Sequence, residues 1–105
     1  MISTHILDTT KGAPAIGVTV TLEQQEEYVW KEIGIEKTNT DGRIVFNCHK
    51  QAGTYRLIFN IEEYYENEEH FFMNTPIVFQ VKNVERKYHV PLLLNPFGYS
   101  TYRGP

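Results

Sequence analysis

Short runs of alternating apolar and polar residues cover most of the chain. A period of two places successive side chains on opposite faces of a β-strand. Residues 17–22 are the clearest case, because Val18, Val20 and Leu22 fall on one face. The same pattern, bounded by turn residues, predicts eight strands, at residues 2–8, 17–22, 28–35, 43–48, 54–60, 76–81, 88–94 and 99–103.

The segments between these strands have the composition of turns. Residues 9–14 hold a Gly and a Pro, and Asp41-Gly42 supplies the positive φ that a tight turn requires. Residues 61–72 differ, because acidic side chains alternate there with aromatic ones, and they fit a short surface helix or an irregular excursion. Eight short strands at regular spacing predict an all-β fold, an eight-stranded antiparallel sandwich with one short surface helix and a single domain over residues 1–105.

Composition restricts the partners and the compartment. A hydrophobic fraction of 41% excludes a disordered chain, and a net charge of −3 argues against nucleic acid and against an anionic membrane surface as partners. The single cysteine, Cys48, cannot form an internal disulfide, and its strand face predicts a buried position. No apolar signal region follows Met1 and no apolar run reaches membrane-spanning length, so we expect a cytoplasmic protein.

Two histidines lie on strand faces that point away from the main apolar rows. By strand period, His5 is on the face opposite Ile6, and His89 is on the face opposite Leu92. A neighbouring cation disfavours the protonated form of a histidine, so a histidine beside an arginine is a candidate general base.

Two arginines are candidates to supply that cation. Arg43 follows the Asp-Gly turn, and Arg103 lies in the last predicted strand. Taken singly, such residues are more often structural: a histidine in a strand is usually hydrogen-bonded or at the surface, and a terminal arginine usually forms a weak surface ion pair. His49 and His70 have no predicted role. No zinc-binding or phosphate-binding motif is present, so no metal site is expected.

Five segments, taken together, resemble one known family. Residues 3–8 (Ser-Thr-His-Ile-Leu-Asp), 12–14 (Gly-Ala-Pro), 40–43 (Thr-Asp-Gly-Arg), 88–94 (Tyr-His-Val-Pro-Leu-Leu-Leu) and 99–104 (Tyr-Ser-Thr-Tyr-Arg-Gly) have the order and spacing of the transthyretin-related proteins. The resemblance spans nearly the whole chain. Within the family, the chain resembles the enzyme branch, the 5-hydroxyisourate hydrolases, more specifically. It implies a transthyretin-like (prealbumin-like) sandwich.

The resemblance also implies an activity and a site. It predicts hydrolysis of 5-hydroxyisourate to 2-oxo-4-hydroxy-4-carboxy-5-ureidoimidazoline in urate degradation, by a homotetramer whose sites lie at the dimer–dimer interface, with no metal or organic cofactor. A histidine would activate water, and arginine would hold the small-molecule substrate. The motifs assign catalysis to His5, Arg43 and His89, and substrate binding to Tyr102, Arg103 and Pro105.

Two positions depart from the family pattern. Pro105 replaces the usual terminal serine, so a hydroxyl is lost, and Lys87 replaces a frequent histidine on the face of His89. Two other functions remain open: a transthyretin-like carrier of a small ligand, or a non-catalytic prealbumin-like or Cna-B-type binding module. The pattern of the binding module covers only the first sixty residues of this chain. A carrier requires an apolar channel at the place where His5 and His89 would lie.

Overall fold

The computed structural model describes residues 1–48 and 51–105, and in these residues the chain forms two β-sheets and one short helix. The all-β sandwich predicted from the sequence is confirmed. Residues 49 and 50, with His49 and the start of the predicted 49–53 loop, lie outside the described residues. The elements are β1 Ile2–Asp8, β2 Ala13–Pro14, β3 Thr19–Glu26, β4 Val29–Lys37, β5 Arg43–Phe46, β6 Gly53–Phe59, α1 Ile61–Tyr64, β7 Thr75–Val81, β8 Tyr88–Asn95 and β9 Gly98–Thr101.

The first sheet is built around β1. Its neighbours on one side are β2, beside Leu7–Asp8, and β5, beside Ile2–His5; on the other side β8 pairs with β1, and β9 follows β8. The second sheet has the order β4-β3-β6-β7 and is antiparallel throughout.

The direction of one strand pair differs from the antiparallel arrangement predicted from the sequence. Strands β1 and β8 run parallel, in register from Ile2 beside Tyr88 to Asp8 beside Leu94. Consecutive strands joined by a tight turn must be antiparallel, but these two lie near opposite ends of the chain, so no short connection fixes their direction. The two-residue strand β2 is a second difference, since it lies in the segment predicted to be a turn.

The core lies between the sheets and follows the predicted alternation. Every second residue of β1 is buried, and fully buried Ile6, Leu92, Val20 and Leu57 fill the space between the two layers. Burying each such side chain stabilises the fold by about 1.5–3 kcal/mol. Cys48 is half-buried and packs against this core. The remaining side chains of β1 therefore point away from the core, to the outer face of the first sheet.

The acidic segment forms a helix of a single turn. Asn60 caps it by accepting a hydrogen bond from the Glu63 amide at 3.1 Å, and the chain from 65 to 74 is irregular. Most of the acidic side chains of residues 61–72 are exposed, as predicted. The Tyr64 hydroxyl donates a hydrogen bond to the buried Asp8 carboxylate at 2.7 Å, which fastens this segment to the end of β1. No helix in residues 1–48 or 51–105 is long and apolar enough to span a membrane.

Candidate active site

Three strands of the first sheet bring the predicted catalytic residues together. His5, on β1, lies directly opposite Arg43 on β5. Ser3, two residues earlier on the same face of β1, lies directly opposite His89 on β8. Side chains directly opposite each other on neighbouring strands have Cβ atoms about 5 Å apart. The outer face of this sheet therefore carries two imidazoles and one guanidinium as close neighbours.

The turn before β5 determines where Arg43 enters the sheet. The Asn39 side chain accepts hydrogen bonds from the amides of Asp41 and Arg43, at 2.9 and 3.0 Å. Gly42 has a φ of 72°, as the Asp-Gly pair predicts, and its carbonyl accepts a hydrogen bond from the Ile6 amide at 2.8 Å. A Cβ on Gly42 would lie 2.6 Å from the Ile6 carbonyl oxygen. Glycine at this position thus lets the turn lie directly against β1.

His89 occupies a half-buried position with its ring held on one side. The Ser3 hydroxyl lies 2.8 Å from Nδ1 of His89. Burial lowers the pKa of His89, the nearby Arg43 and His5 lower it further, and the interaction with the Ser3 backbone partly opposes them. His89 is therefore neutral at neutral pH, which is the state that a general base requires.

The chain terminus lies against the His89 ring. The Gly104 amide donates a hydrogen bond to the His89 carbonyl at 2.8 Å, which forms an isolated antiparallel bridge beyond β9. A Cβ on Gly104 would overlap Cδ2 of His89 and lie 3.2 Å from Cγ of both His89 and Pro91. Pro105 thereby lines, together with Arg43, Lys87 and His89, a shallow depression of about 270 Å³.

Tyr102 and Arg103 line a second hollow, of about 160 Å³, which adjoins the first at His89. The guanidinium carbon of Arg103 lies 4.7 Å from the centre of the Tyr88 ring. A hydrogen bond from the Asn83 backbone lowers the pKa of Tyr88, burial opposes this, and the Arg103 cation adds to the lowering. The three residues predicted to bind substrate are thus divided: Pro105 lies in the depression with Arg43, while Tyr102 and Arg103 lie in the adjoining hollow.

Sequence reasoning placed Lys87 on the face of His89, and Lys87 does line the same depression. It gave no role to Ser3 or Gly104. Their contacts with His89 depend on the parallel pairing of β1 with β8 and on the path of the chain after β9, and no local pattern indicates either. Among the described residues, no three His, Cys, Asp or Glu side chains form a group that could hold a metal ion, and the lack of a cofactor stays a prediction.

Comparison with known proteins finds relatives that match nearly the whole chain. The chain is 42% identical over 109 residues to the 5-hydroxyisourate hydrolase of Salmonella typhimurium, and the match covers 99% of this chain and 80% of that protein. The structure of Klebsiella pneumoniae 5-hydroxyisourate hydrolase superimposes with a TM-score of 0.86 at 34% identity, covering 99% and 98% of the two chains.

Sea bream transthyretin, solved in complex with thyroxine, superimposes with a TM-score of 0.91 at 30% identity, covering 98% of this chain and 93% of that one. Solved structures of a hydrolase and of a transthyretin thus both share the fold of this chain, and the transthyretin-like fold predicted from the sequence is confirmed. The profile of the HIUase/Transthyretin family matches residues 2–104, which is nearly the entire sequence and includes every site residue except Pro105. The chain belongs to the HIUase/Transthyretin family.

Proposed function

We propose that this protein is an enzyme that hydrolyses 5-hydroxyisourate to 2-oxo-4-hydroxy-4-carboxy-5-ureidoimidazoline. The observation that carries the proposal is the convergence of His5, Arg43 and His89 on one sheet face, in a chain 42% identical to a protein named for that activity. Two titratable imidazoles beside a fixed cation do not suit a channel that binds an apolar ligand.

The reaction adds water across a cyclic amide bond. A neutral imidazole removes a proton from water as the water oxygen attacks the ring carbonyl carbon, and the imidazolium then returns the proton to the ring nitrogen when the C–N bond breaks. The products of the cleavage are an N–H group and a carboxylic acid, which loses its proton to solvent at neutral pH and becomes a carboxylate. The Arg43 guanidinium, next to the histidines, suits the negative charge that develops on the carbonyl oxygen.

The residues near the chain terminus are proposed to hold the substrate. Arg103 offers a planar set of N–H donors that matches the carbonyl and amide edges of a urea-like ring. Tyr102 is 56% exposed and provides a flat surface at the mouth of the adjoining hollow. Pro105 has no hydroxyl and no N–H, so at the depression it can only accept hydrogen bonds, through its backbone oxygen.

The proposal extends to the assembly that the family resemblance implies, a homotetramer with its sites at the dimer–dimer interface. It is supported by the position of the site on an open sheet face, where Val45 is 50% exposed. The expected mass in solution is four times the chain mass of 12.3 kDa. Light scattering at micromolar concentration measures it, and a monomer would contradict the interface site. The cytoplasmic location remains a prediction from the sequence.

The catalytic assignment is tested by following the ultraviolet absorbance of freshly prepared 5-hydroxyisourate. His5→Ala and His89→Ala should each reduce kcat about a hundredfold or more, the usual contribution of an acid–base group. Both histidines are outside the buried core, so the variants should remain folded. His70→Ala is the matched control, because the contacts of His70 within the described residues are with the Glu68 carbonyl and Tyr65, and it lines neither the depression nor the adjoining hollow. Parental rates in both site variants would refute the assignment.

A carrier of small ligands is the second candidate, because the sea bream protein that was solved with thyroxine superimposes closely on this chain. The same assay distinguishes the two functions. An enzyme accelerates the decay of 5-hydroxyisourate, whereas a carrier would bind a ligand such as thyroxine, measured by calorimetry, without accelerating the decay.

A further inference from the structure

Ser3 and His89 form a hydrogen bond between two strands that lie 86 residues apart in sequence. The Ser3 Oγ to His89 Nδ1 distance is 2.8 Å, and both residues are partly buried. A hydroxyl can donate or accept, and a neutral imidazole has one nitrogen of each kind. The function of this contact therefore depends on which of the two groups provides the proton.

The surroundings of the ring favour a proton on Nδ1. The ring also interacts with the Ser3 backbone in a way that raises the pKa of His89. The backbone group that stabilises a protonated imidazole is the carbonyl oxygen, and a carbonyl only accepts hydrogen bonds. The Ser3 carbonyl is thus a second acceptor near the ring, in the same residue whose hydroxyl lies 2.8 Å from Nδ1. A proton on Nδ1 can be donated to the Ser3 hydroxyl oxygen, and the nearby carbonyl favours that proton.

The opposite edge of the ring is in contact with the terminus. Cδ2 of His89 lies so close to the Gly104 backbone that a Cβ there would overlap it. Turning the ring over would exchange Nδ1 with Cδ2 and break the hydrogen bond to Ser3. These contacts on two edges fix the orientation of the imidazole, and Nε2 is then the nitrogen left for chemistry.

On the basis of the hydrolase function proposed above, we propose that Ser3 is a positioning residue that holds His89 as the Nδ1–H tautomer, so that the lone pair on Nε2 is the base that activates water. In the reaction Nε2 receives the proton from water and later returns it to the departing ring nitrogen, while Nδ1–H remains hydrogen-bonded to Ser3 throughout. The contact also stabilises the imidazolium that exists between these two proton transfers.

The test compares two variants of nearly identical shape. Ser3→Thr keeps the hydroxyl, whereas Ser3→Val replaces it with a methyl group, and both β-branched side chains suit a strand. We expect Ser3→Val to reduce kcat about tenfold, on the order of one hydrogen bond lost in the transition state, with little change in KM. Ser3→Thr should stay within about twofold of the parental kcat, since it preserves the hydroxyl.

A second measurement is independent of activity. Nitrogen-15 NMR of the histidine rings reports which nitrogen of His89 carries the proton. The parental protein and Ser3→Thr should give the Nδ1–H tautomer, and Ser3→Val should lose it. A proton on Nε2 in the parental protein, or equal kcat in the Val and Thr variants, would overturn the proposal. If the parental protein does not hydrolyse 5-hydroxyisourate, the proposed function fails, while the NMR result still decides the role of Ser3 in fixing the tautomer.

Discussion

Gly104 lies directly against the imidazole of His89, so adding one methyl group there is a direct probe of the site. In Gly104→Ala the new Cβ would overlap Cδ2 of His89 and lie 3.2 Å from two further ring carbons, Cγ of His89 and Cγ of Pro91. Carbon atoms in contact prefer separations of about 3.5–4.0 Å. The ring or the terminus must therefore move by on the order of 1 Å.

A displacement of that size has a large effect on catalysis and a small one on stability. A misplacement of about 1 Å can reduce a rate about a hundredfold, so we expect kcat/KM for 5-hydroxyisourate to fall by about that factor. Gly104 lies beyond β9, and its amide donates a backbone hydrogen bond to the His89 carbonyl. Loss of that bond would cost about 0.5–1.5 kcal/mol, which corresponds to a fall in Tm of several degrees for a domain of this size.

Gly98→Ala is the control for this prediction. A Cβ on Gly98 would meet only the Asn95 side-chain amide, at 3.8 Å, which is an ordinary contact. This variant should keep the parental rate. A third variant that ends at Arg103 removes the Gly104 contact without pushing the ring, so its comparison with Gly104→Ala separates displacement of the ring from loss of the contact. If Gly104→Ala keeps the parental kcat/KM, the contact with Gly104 does not position His89.

Two further outcomes are expected. Burial, Arg43 and His5 lower the pKa of His89 below its usual 6.5. The base becomes protonated on the acid side, so kcat/KM should fall there with a midpoint below pH 6.5. A midpoint above 6.5 in the pH–rate profile would contradict His89 as the base. Pro105→Ser should raise kcat/KM about threefold to tenfold, because it adds a hydroxyl at the rim of the depression, equivalent to one neutral hydrogen bond; an unchanged rate would mean that the hydroxyl is not used.

The sequence predicted the local features of the site correctly. Strand period alone places His5 and His89 away from the core, and both are half-buried on the outer face of the first sheet. The Asp41-Gly42 pair predicted the tight turn that delivers Arg43. These features are local, because the direction of a side chain on a strand and the φ of a turn residue depend on near neighbours in the chain.

The contacts around His89 could not be predicted in this way. Ser3 lies opposite His89 only because β1 and β8 are parallel and in that register, and Gly104 contacts the ring only because the chain returns to β8 after β9 ends at Thr101. The sequence likewise could not show that the Arg103 guanidinium lies over the Tyr88 ring.

The sequence by itself thus determined eight of the nine strands in the described residues to within a few residues at their ends, the face of each histidine, the turn before Arg43 and, through its motifs, the family. The tertiary structure alone decided which strands are neighbours, in which direction and register, and therefore which side chains meet. The physical reason is that alternation fixes only the face on which a side chain lies. Pairing between strands more than eighty residues apart depends on how both sheets bury their apolar faces together, and no short stretch of sequence carries that information.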